Sequence, residues 1–518
     1  MPSKMKGSWL FTLVFFIAVH ASQSSRVKEC SEFATSVSRI GGTLGRVILN
    51  SSHVPEKSIN IDGTVNAIPL CRLFGKVPYA GNNSVIFELW LPAADSYTGR
   101  FVVVGNGGMA GTISEGDLLR NLNKGFAVAG SNAGHLASKN NAGNGAPGVY
   151  LPYMHDKEQV EAWIHNSIAY FTPVARRIAS AFYRHDPRYS YYEGCSTGGA
   201  QGFALAQFYP DLFDGIVAGS PGNWYSHLAL SFLWNAQVTQ GLNSLPQSAL
   251  DLITQTVLAK CDAMDGVKDG VLENPLLCDF DVSTLACSPS ATNQSACLTP
   301  AQVSSAQKIY AGPVDSRTNA SLYPGFSVGS ETEWMLQEGY LADAFSIPIL
   351  QNMAFNNLSY DPSTFNWGSD VDTVNDRVGT FIDEISPNLS SLKNTGAKMI
   401  VFQGWSDPFN AATWPIQHLR QLEDFFGGDV GDWFRLFMIP GGGHCGSATK
   451  YPQVPGVWHA LDALVQWVEA GQAPTEMLGT DPLDVNLKEK TSKLCPWPQI
   501  AKFRGGDSND WKSFECEE

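Results

Sequence analysis

Short apolar runs alternate with amphipathic stretches along the first part of the chain. The predicted strands are 84–91 (SVIFELWL), 101–104 (FVVV), 125–130 (GFAVAG), an aromatic run that begins at Tyr189, and 215–218 (GIVA). Helical patterns cover 156–183 and 199–208. Strands that alternate with helices predict an α/β fold, in which helices cover both faces of a mostly parallel sheet.

The alternation of strands and helices stops over residues 222–395, a loop-rich stretch that holds four of the ten cysteines. It resumes with a strand at 398–404 (KMIVFQG), a helical pattern to residue 426, a strand at 434–439 (FRLFMI) and a last helix at about 457–469. We therefore predict a core domain formed by 22–221 and 396–518, with 222–395 inserted as a lid domain.

The N-terminus has the pattern of a secretory signal. Lys4 and Lys6 precede a short apolar run at 9–19, and small residues near Ala21 suit cleavage, so residues 1–21 are predicted to be a signal peptide. The run is too short to span a bilayer, and no other segment has an apolar run of membrane length. An exported protein with no membrane span is expected.

Composition agrees with export. Ten cysteines, an even number, fit an oxidising compartment. Six N-x-[ST] sequons predict a glycosylated extracellular protein; they are at Asn50, Asn82, Asn293, Asn319, Asn357 and Asn388. The formal net charge is −15, and it becomes −17 without the two signal-peptide lysines, which argues against nucleic acid as a partner.

Two G-x-S-x-G sequences occur, and only one has the context of a nucleophile. Gly194–Gly198 follows a strand and opens a helix, so its central Ser196 would stand exposed on a sharp turn at the carboxyl edge of the sheet. The second copy, Gly325–Gly329, has no strand before it and no helical pattern after it, and it is predicted to be a loop.

An acid and a base follow the last two strands. Asp407 and His444 each lie just past the carboxyl end of a predicted strand, and Ser196, Asp407 and His444 occur in the order of an α/β-hydrolase triad. His135, in a loop after a strand, is the alternative base. Asp429 and Asp432 are alternative acids, but they precede their strand and so lie at the opposite sheet edge.

Cysteines flank two of these residues. Cys195 directly precedes Ser196 and Cys445 directly follows His444, so an assembled triad would bring them close enough for a disulfide that clamps the two loops together. Two other pairs are also expected. Cys30 would pair with Cys71, and Cys495 with Cys516 would tie down the C-terminal tail.

Esterase chemistry also needs donors for an oxyanion and a pocket for the acyl group. The backbone N–H of Thr197 is the first predicted donor, and Gly107 and Gly108 are equally good candidates for the second. Five aromatic residues in the predicted lid are candidates for substrate contact, with lid core as the alternative role; they are Trp224, Tyr225, Trp234, Trp334 and Trp367.

The predicted lid contains a closely spaced acidic loop. In CDAMDGVKDGV, Asp262, Asp265 and Asp269 are three and four residues apart, with a glycine for the bend. Oxygen ligands on a tight loop suit a hard cation such as Ca²⁺, although the spacing is not that of an EF-hand. A solvated acidic turn is the alternative.

The chain resembles the fungal tannase and feruloyl esterase family, most closely the type B feruloyl esterases. The resemblance rests on GNGGMAG (105–111), GCSTGGAQG (194–202), CDAMDGVKDGVLENP (261–275) and GGGHCG (441–446), and it covers nearly the whole chain after the signal. It implies a serine esterase with an α/β-hydrolase core and a large lid, the triad Ser196, Asp407 and His444, and a Cys195–Cys445 clamp.

The resemblance also implies a structural calcium ion in the lid. Its ligands would be Asp262, Asp265 and Asp269 with the carbonyls of Val267 and Val271. Two lid disulfides, Cys261–Cys278 and Cys287–Cys297, are implied as well. One departure from the family pattern is the run after the acid strand, GWSDPFNAATWP (404–415), where substrate contacts are expected to differ. No Lys-Arg processing site occurs in the lid, which favours a single-chain enzyme.

The expected function is that of a secreted serine carboxylesterase without an organic cofactor. It would act on esters of ferulate or p-coumarate, either as small phenolic esters or attached to plant cell-wall polysaccharide such as xylan, and as a monomer or homodimer. Two alternatives are a tannase that cleaves galloyl esters and a catalytically silent binding protein with a hydrolase fold.

Overall fold

The computed structural model describes residues 30, 32–33, 48–141, 145–289 and 296–518. The predicted signal peptide and the sequon at Asn293 lie outside these residues. No helix in the described ranges has the length and hydropathy needed to cross a membrane.

The described residues form sixteen strands. They are β1 (Ile48–Val54), β2 (Asn60–Ile61), β3 (Thr64–Val65), β4 (Leu70–Pro78), β5 (Ser84–Pro92), β6 (Arg100–Val104), β7 (Ala127–Ser131), β8 (Tyr189–Cys195), β9 (Gly215–Gly219), β10 (Lys398–Gly404), β11 (Phe434–Ile439), β12 (Pro455–Trp458), β13 (Met477–Pro482), β14 (Ser492–Leu494), β15 (Ile500–Phe503) and β16 (Phe514–Glu517).

The α-helices carry labels in chain order. They are α1 (Glu115–Leu122), α2 (Lys157–Glu161), α3 (Ser167–Tyr183), α4 (Thr197–Phe208), α5 (Tyr225–Val238), α6 (Gln247–Cys261), α7 (Pro300–Ala311), α8 (Ile347–Ile349), α9 (Ser369–Val374), α10 (Thr380–Ile382), α11 (Ser390–Thr395), α12 (Trp414–Phe426) and α13 (Ala460–Ala470). Short 3₁₀ and π turns lie between several of them, and one 3₁₀ helix, Glu331–Glu338, is longer.

One compact unit comprises the described residues up to 104 together with 113–132 and 170–190. Its strands lie in the order β1-β4-β5-β7-β6, and all adjacent pairs except β6–β7 are antiparallel. This part differs from the mostly parallel sheet predicted above. The tight connection at 79–83 makes β4 and β5 a hairpin, and a hairpin can only be antiparallel.

The second unit comprises 105–112, 133–169 and 191–518. Its strands β8, β9, β10 and β11 are parallel neighbours in that order, as predicted. In the register of the sheet, Cys195 at the end of β8 lies beside Gly219 of β9, and Gly404 at the end of β10 lies beside Ile439 of β11. The loops that follow β8, β10 and β11 therefore leave the sheet at the same carboxyl edge.

The described residues between β9 and β10 contain helices and loops but no strand, as predicted from the missing strand–helix alternation in this stretch. Part of this stretch has its own buried apolar cluster, built from α6, α7 and the 3₁₀ helix around Trp334. The division into a core and a lid at residues 222 and 395 stays a prediction.

All five predicted disulfides are confirmed. They are Cys30–Cys71, Cys195–Cys445, Cys261–Cys278, Cys287–Cys297 and Cys495–Cys516. No free cysteine occurs among the residues that the structure describes. Cys516 lies in β16, which pairs with β15, so the last bond fastens the C-terminal hairpin.

Candidate active site

Ser196 occupies a strained turn between β8 and α4. Its backbone has φ 63° and ψ −121°, a conformation that residues other than glycine rarely adopt and that costs about 1–3 kcal/mol. The turn is held by the N–H of Ser196, which donates to the carbonyl of Gly219 (2.9 Å). The Ser196 carbonyl in turn accepts from the N–H groups of Ala200 and Gly222 (both 3.1 Å). The side chain keeps partial solvent exposure, as a nucleophile requires.

The glycines of the motif allow this close packing. A Cβ atom at Gly194 would lie 2.6 Å from the carbonyl oxygen of Gly198, and a Cβ atom at Gly198 would lie 3.1 Å from the carbonyl oxygen of Asn106. The first distance is too short for any side chain. The sequence G-x-S-x-G thus follows from the geometry around Ser196.

The predicted acid and base form a hydrogen-bonded pair in which the acid is buried and the base is partly exposed. The Nδ1 atom of His444 lies 3.0 and 2.9 Å from the two carboxylate oxygens of Asp407, which is 1% exposed. Asp407 also accepts from Gln403 Nε2 (2.8 Å) and from the backbone N–H groups of Phe409 (2.8 Å) and Asn410 (3.0 Å). Burial raises the pKa of Asp407, but His444 and these donors outweigh burial and hold the pKa below its ordinary value. The acid is therefore ionised at neutral pH.

The His444 ring is also fixed from its face. It stacks on Phe409 with ring centroids 4.3 Å apart and planes 20° apart. Because Asp407 engages Nδ1, Nε2 is the nitrogen left for Ser196. No hydrogen bond joins His444 Nε2 to the Ser196 hydroxyl in the described structure. Such contacts are often long in free enzymes and tighten when substrate binds.

A disulfide links the loops of Ser196 and His444. Cys195 and Cys445 have Cα atoms 5.9 Å apart although they are 250 residues apart in sequence. Each is the immediate neighbour of one of the two functional residues. The bond therefore limits how far Ser196 and His444 can separate.

Ser220, which is fully buried, connects three loops at the same sheet edge. Its N–H donates to the carbonyl of Phe402 (2.7 Å), and its carbonyl accepts from Asn410 Nδ2 (2.7 Å) in the Asp407 loop. Its hydroxyl accepts from the N–H of Cys445 (3.4 Å) in the His444 loop. Sequence reasoning missed this residue, because a serine after a buried strand carries no distinctive signal.

Thr197 and Gly108, two of the residues predicted to supply oxyanion donors, are joined by a hydrogen bond. The buried hydroxyl of Thr197 donates to the carbonyl of Gly108 (2.8 Å) and lies 3.4 Å from the hydroxyl of Tyr225. Gly108 has φ 53°, and Gly107 is exposed with open space around it. The glycine loop and the start of α4 thus border the same space.

An aromatic wall extends from the glycine loop to His444. The ring of Phe345 lies 3.9 Å from the position that a Cβ atom on Gly108 would occupy, and its centroid is 6.5 Å from that of Phe409. Both rings are partly exposed. Sequence reasoning missed both. The only available signal was the position of Phe409 two residues after Asp407.

The predicted lid aromatics have mostly structural contacts. Trp334 is a core residue with 1% exposure, Trp234 and Trp367 pack edge to face at 5.0 Å, and Trp224 stacks on His227. Tyr225 is the one among these five candidates whose recorded contacts include a predicted site residue, Thr197.

The alternative bases and acids lie in other environments. His135 is buried, stacks on Tyr153 (3.8 Å) and has Nε2 2.9 Å from the carbonyl oxygen of Met109, and burial lowers its pKa to about 4. Asp429 caps its own turn through the N–H of Gly431 before β11. The second G-x-S-x-G sequence lies in irregular structure, as predicted, with Ser327 buried.

The acidic loop has the donors for a hard cation but is arranged around backbone amides. The Asp262 carboxylate accepts from the N–H groups of Asp269 (3.3 Å), Gly270 (3.1 Å) and Val271 (3.3 Å). Asp265 accepts from the N–H of Val267 (3.2 Å). No group of three or more His, Cys, Asp or Glu side chains in the described ranges is arranged to hold a metal ion.

The charge in this loop is nevertheless poorly compensated. Burial, together with the nearby charges of Asp269 and Asp262, raises the pKa of Asp265 to about 6. A buried oxygen of Asp269, Oδ1, has no hydrogen-bond partner in the described structure, and Lys490 Nζ lies 3.7 Å from the other. Closely spaced carboxylates with an unpaired buried oxygen fit the chemistry of a Ca²⁺ site.

Comparison with known proteins agrees with this geometry. The family model described as tannase and feruloyl esterase matches residues 71–517. The chain is similar to a probable feruloyl esterase B-2 of Aspergillus flavus, with 33% identity over 82% of each chain. It is also similar to the crystal structure of feruloyl esterase B from Aspergillus oryzae, with 25% identity, a TM-score of 0.83, and coverage of 95% of this chain and 100% of that one.

The tannin acyl hydrolase of Aspergillus niger shares the fold, with a TM-score of 0.77 at 22% identity over 92% of this chain and 91% of that one. The match to the family model covers most of the chain and includes the elbow, the acid loop and the base loop. The chain belongs to the tannase and feruloyl esterase family and is a carboxylic ester hydrolase.

Proposed function

We propose that this chain is a secreted serine carboxylesterase that hydrolyses esters of phenolic acids. The observation that supports it most strongly is the hydrogen bond between ionised Asp407 and His444, whose loop is joined through the Cys195–Cys445 bond to the strained turn that presents Ser196. In this proposal Ser196 is the nucleophile, His444 the general base and acid, and Asp407 the residue that orients His444.

Each step of the reaction uses a side chain in this site. Ser196 Oγ attacks the ester carbonyl while His444 Nε2 takes its proton, and the N–H of Thr197 with that of Gly107 or Gly108 stabilises the oxyanion. His444 then returns the proton to the departing alcohol, which leaves an acyl group on Ser196. Water, activated by His444, releases the acid and regenerates the serine. The charge of Asp407 stabilises the imidazolium in both halves.

The position of Phe345 and Phe409 favours an ester whose acyl group is a phenolic acid. Phe345 and Phe409 lie between the glycine loop and the base, where the acyl part of the ester would lie, and aromatic rings stack favourably on one another. We propose ferulate or p-coumarate as the acyl group, in small esters or on plant cell-wall polysaccharide such as xylan, and the similarity to proteins named feruloyl esterase supports ferulate. A tannase activity on galloyl esters is the second candidate, supported by the fold shared with tannin acyl hydrolase. The silent binding protein is set aside because the family consists of ester hydrolases.

We also propose a structural Ca²⁺ in the acidic loop. Asp262, Asp265 and Asp269 with the carbonyls of Val267 and Val271 would hold it, and the ion would neutralise the buried carboxylates. It has no part in the catalytic steps.

We also propose that the protein is exported and glycosylated. All five sequon asparagines that the structure describes are exposed, as attachment of a glycan requires; they are Asn50, Asn82, Asn319, Asn357 and Asn388. The predicted signal peptide supports an extracellular location.

The decisive experiment compares the two G-x-S-x-G serines. Ser196→Ala should lower kcat for methyl ferulate by roughly 10⁴-fold or more, because it removes the nucleophile. Ser327→Ala, the matched control, should keep wild-type activity. Rates on methyl ferulate, caffeate, p-coumarate and gallate then rank the acyl groups. Undiminished hydrolysis by Ser196→Ala would refute the mechanism, and a preference for gallate would favour the tannase alternative.

A further inference from the structure

The 3₁₀ helix Glu331–Glu338 places a buried amide against the acid loop. Gln337 is completely buried, and its Nε2 donates to the carbonyl of Pro408 at 2.5 Å. Pro408 directly follows Asp407 in the chain. The side-chain oxygen of Gln337 accepts from Nδ2 of Asn235 (2.9 Å), which is itself 1% exposed. The two bonds fix the amide orientation, so Gln337 holds one end of the acid loop.

The same 3₁₀ helix also contacts the base loop. Glu333, four residues before Gln337, is 7% exposed and accepts from the hydroxyl of Thr449 (2.9 Å) and the N–H of Lys450 (2.5 Å). These two residues follow His444 by five and six positions. One short helix therefore carries side chains that bind the loops of both Asp407 and His444.

The helix is itself firmly anchored. The carboxylate of Glu331, at its first residue and fully buried, accepts from the hydroxyls of Thr254 (3.0 Å) and Tyr310 (2.5 Å) and from the N–H of Gly329 (2.8 Å). Trp334 Nε1 donates to the hydroxyl of Ser330 (2.9 Å). A support with this many buried bonds can hold a fixed distance between two loops.

We propose that Gln337 and Glu333 are positioning residues that align Asp407 with His444 for the reaction. The disulfide joins the base loop to Ser196 but does not reach the acid loop, which is held by noncovalent contacts that include the hydrogen bonds of Ser220 and Gln337. Ser220 directly follows β9, whereas Gln337 lies deep in the long stretch between β9 and β10. The efficiency of the triad thus depends on a segment far from it in sequence. This inference rests on the proposed roles of Asp407 and His444.

The test uses substitutions that keep the shape of the side chain. Gln337→Leu removes both hydrogen bonds, and Gln337→Glu keeps an acceptor for Asn235 but leaves no donor for Pro408 when ionised. Gln351→Leu is the matched control. Gln351 is also a buried amide between β9 and β10, and it bridges the N–H of Gly148 (2.6 Å) and the carbonyl of Tyr360 (3.0 Å), away from the catalytic loops.

Both Gln337 variants should lower kcat for methyl ferulate by roughly 10- to 100-fold with KM changed by less than about twofold, because small displacements of catalytic groups cost this much. Gln351→Leu should lower Tm and leave kcat within about twofold. The acidic limb of the kcat/KM profile should move to lower pH in the Gln337 variants, since a displaced Asp407 stabilises the imidazolium less. Glu333→Gln should slow labelling of Ser196 by a fluorophosphonate.

The outcomes separate this inference from the proposed function. If Gln337→Glu folds and keeps wild-type kcat and pH profile, or if Gln351→Leu loses kcat equally, the positioning role is wrong. If Gln337→Leu does not fold, Gln337→Glu and Glu333→Gln decide. Hydrolysis that survives Ser196→Ala would instead refute the mechanism itself, whatever the Gln337 variants do.

Discussion

Removal of the Cys195–Cys445 bond should reduce both stability and turnover. In the variant Cys195→Ala/Cys445→Ala, the loops of Ser196 and His444 stay connected through the end of β9 and the loop after it, where Ser220 Oγ accepts from the N–H of residue 445 and Gly219 accepts from the N–H of Ser196. They lose their covalent link, so the distance between nucleophile and base is free to fluctuate.

The stability effect follows from the loop that the bond closes. The cysteines are 250 residues apart, and the chain-entropy relation gives about 5.5 kcal/mol for a loop of this length. Cys287–Cys297 closes a loop of 10 residues, for which the same relation gives about 2.7 kcal/mol. The variant Cys287→Ala/Cys297→Ala is therefore a control that also lacks one disulfide but lies away from the triad.

Urea unfolding followed by tryptophan fluorescence gives the free energy of unfolding of each variant, and initial rates on methyl ferulate give kcat. We expect the Cys195/Cys445 variant to lose the larger free energy and to lose at least about tenfold in kcat under conditions where it is folded. The control should keep its kcat. Equal losses of free energy in the two variants, together with an unchanged kcat in the first, would refute the clamp argument.

Two further predictions concern buried charge. Burial raises the pKa of Asp383 to about 7, so its folded-state pKa is above the unfolded one; the associated stability is fully present below about pH 4 and is lost as the pH rises through about 7. The raised pKa corresponds to at most about 4 kcal/mol, and solvent screening lowers this because Asp383 is partly exposed. Asp383→Asn should flatten the fall in Tm between pH 4.5 and 7.5, and Tm curves that run parallel for the two proteins would contradict this. Ca²⁺ at a hundred times its Kd should stabilise chelator-treated protein against unfolding by about 2.7 kcal/mol. Asp265→Asn should abolish this stabilisation, whereas Asp281→Asn, at an exposed position outside the acidic loop, should not. If Ca²⁺ does not shift the melting temperature of the wild type, the proposed site is wrong.

The loops of the candidate site were predictable because their signals are local. Each of Ser196, Asp407 and His444 follows a short buried strand, and the carboxyl ends of parallel strands meet at one edge. The adjacent cysteines added a long-range constraint that the observed disulfide satisfies.

Other parts depend on contacts that no local pattern reveals. The strand β4 (LCRLFGKVP) mixes buried and exposed positions and carries charged residues, so it does not stand out as part of a sheet. The start of the last helix was placed too early because Pro455–Trp458 pairs with β13 as a strand. Gln337 lies in a stretch without regular periodicity, and its role depends on burial against Pro408, which only the tertiary structure shows.

Three residues of the run after β10 show how this loop is held and which part of it reaches the candidate site. Within GWSDPFNAATWP, Phe409 stacks on His444, Asn410 binds Ser220, and Trp414 Nε1 donates to Asn223 Oδ1 (2.8 Å). The last two contacts face the protein interior and hold the loop in place. Phe409 is the one of the three with partial exposure, and it borders the space where the acyl group would lie. Substrate differences that arise from this loop should therefore act through Phe409, because the other two residues are committed to the acid loop itself.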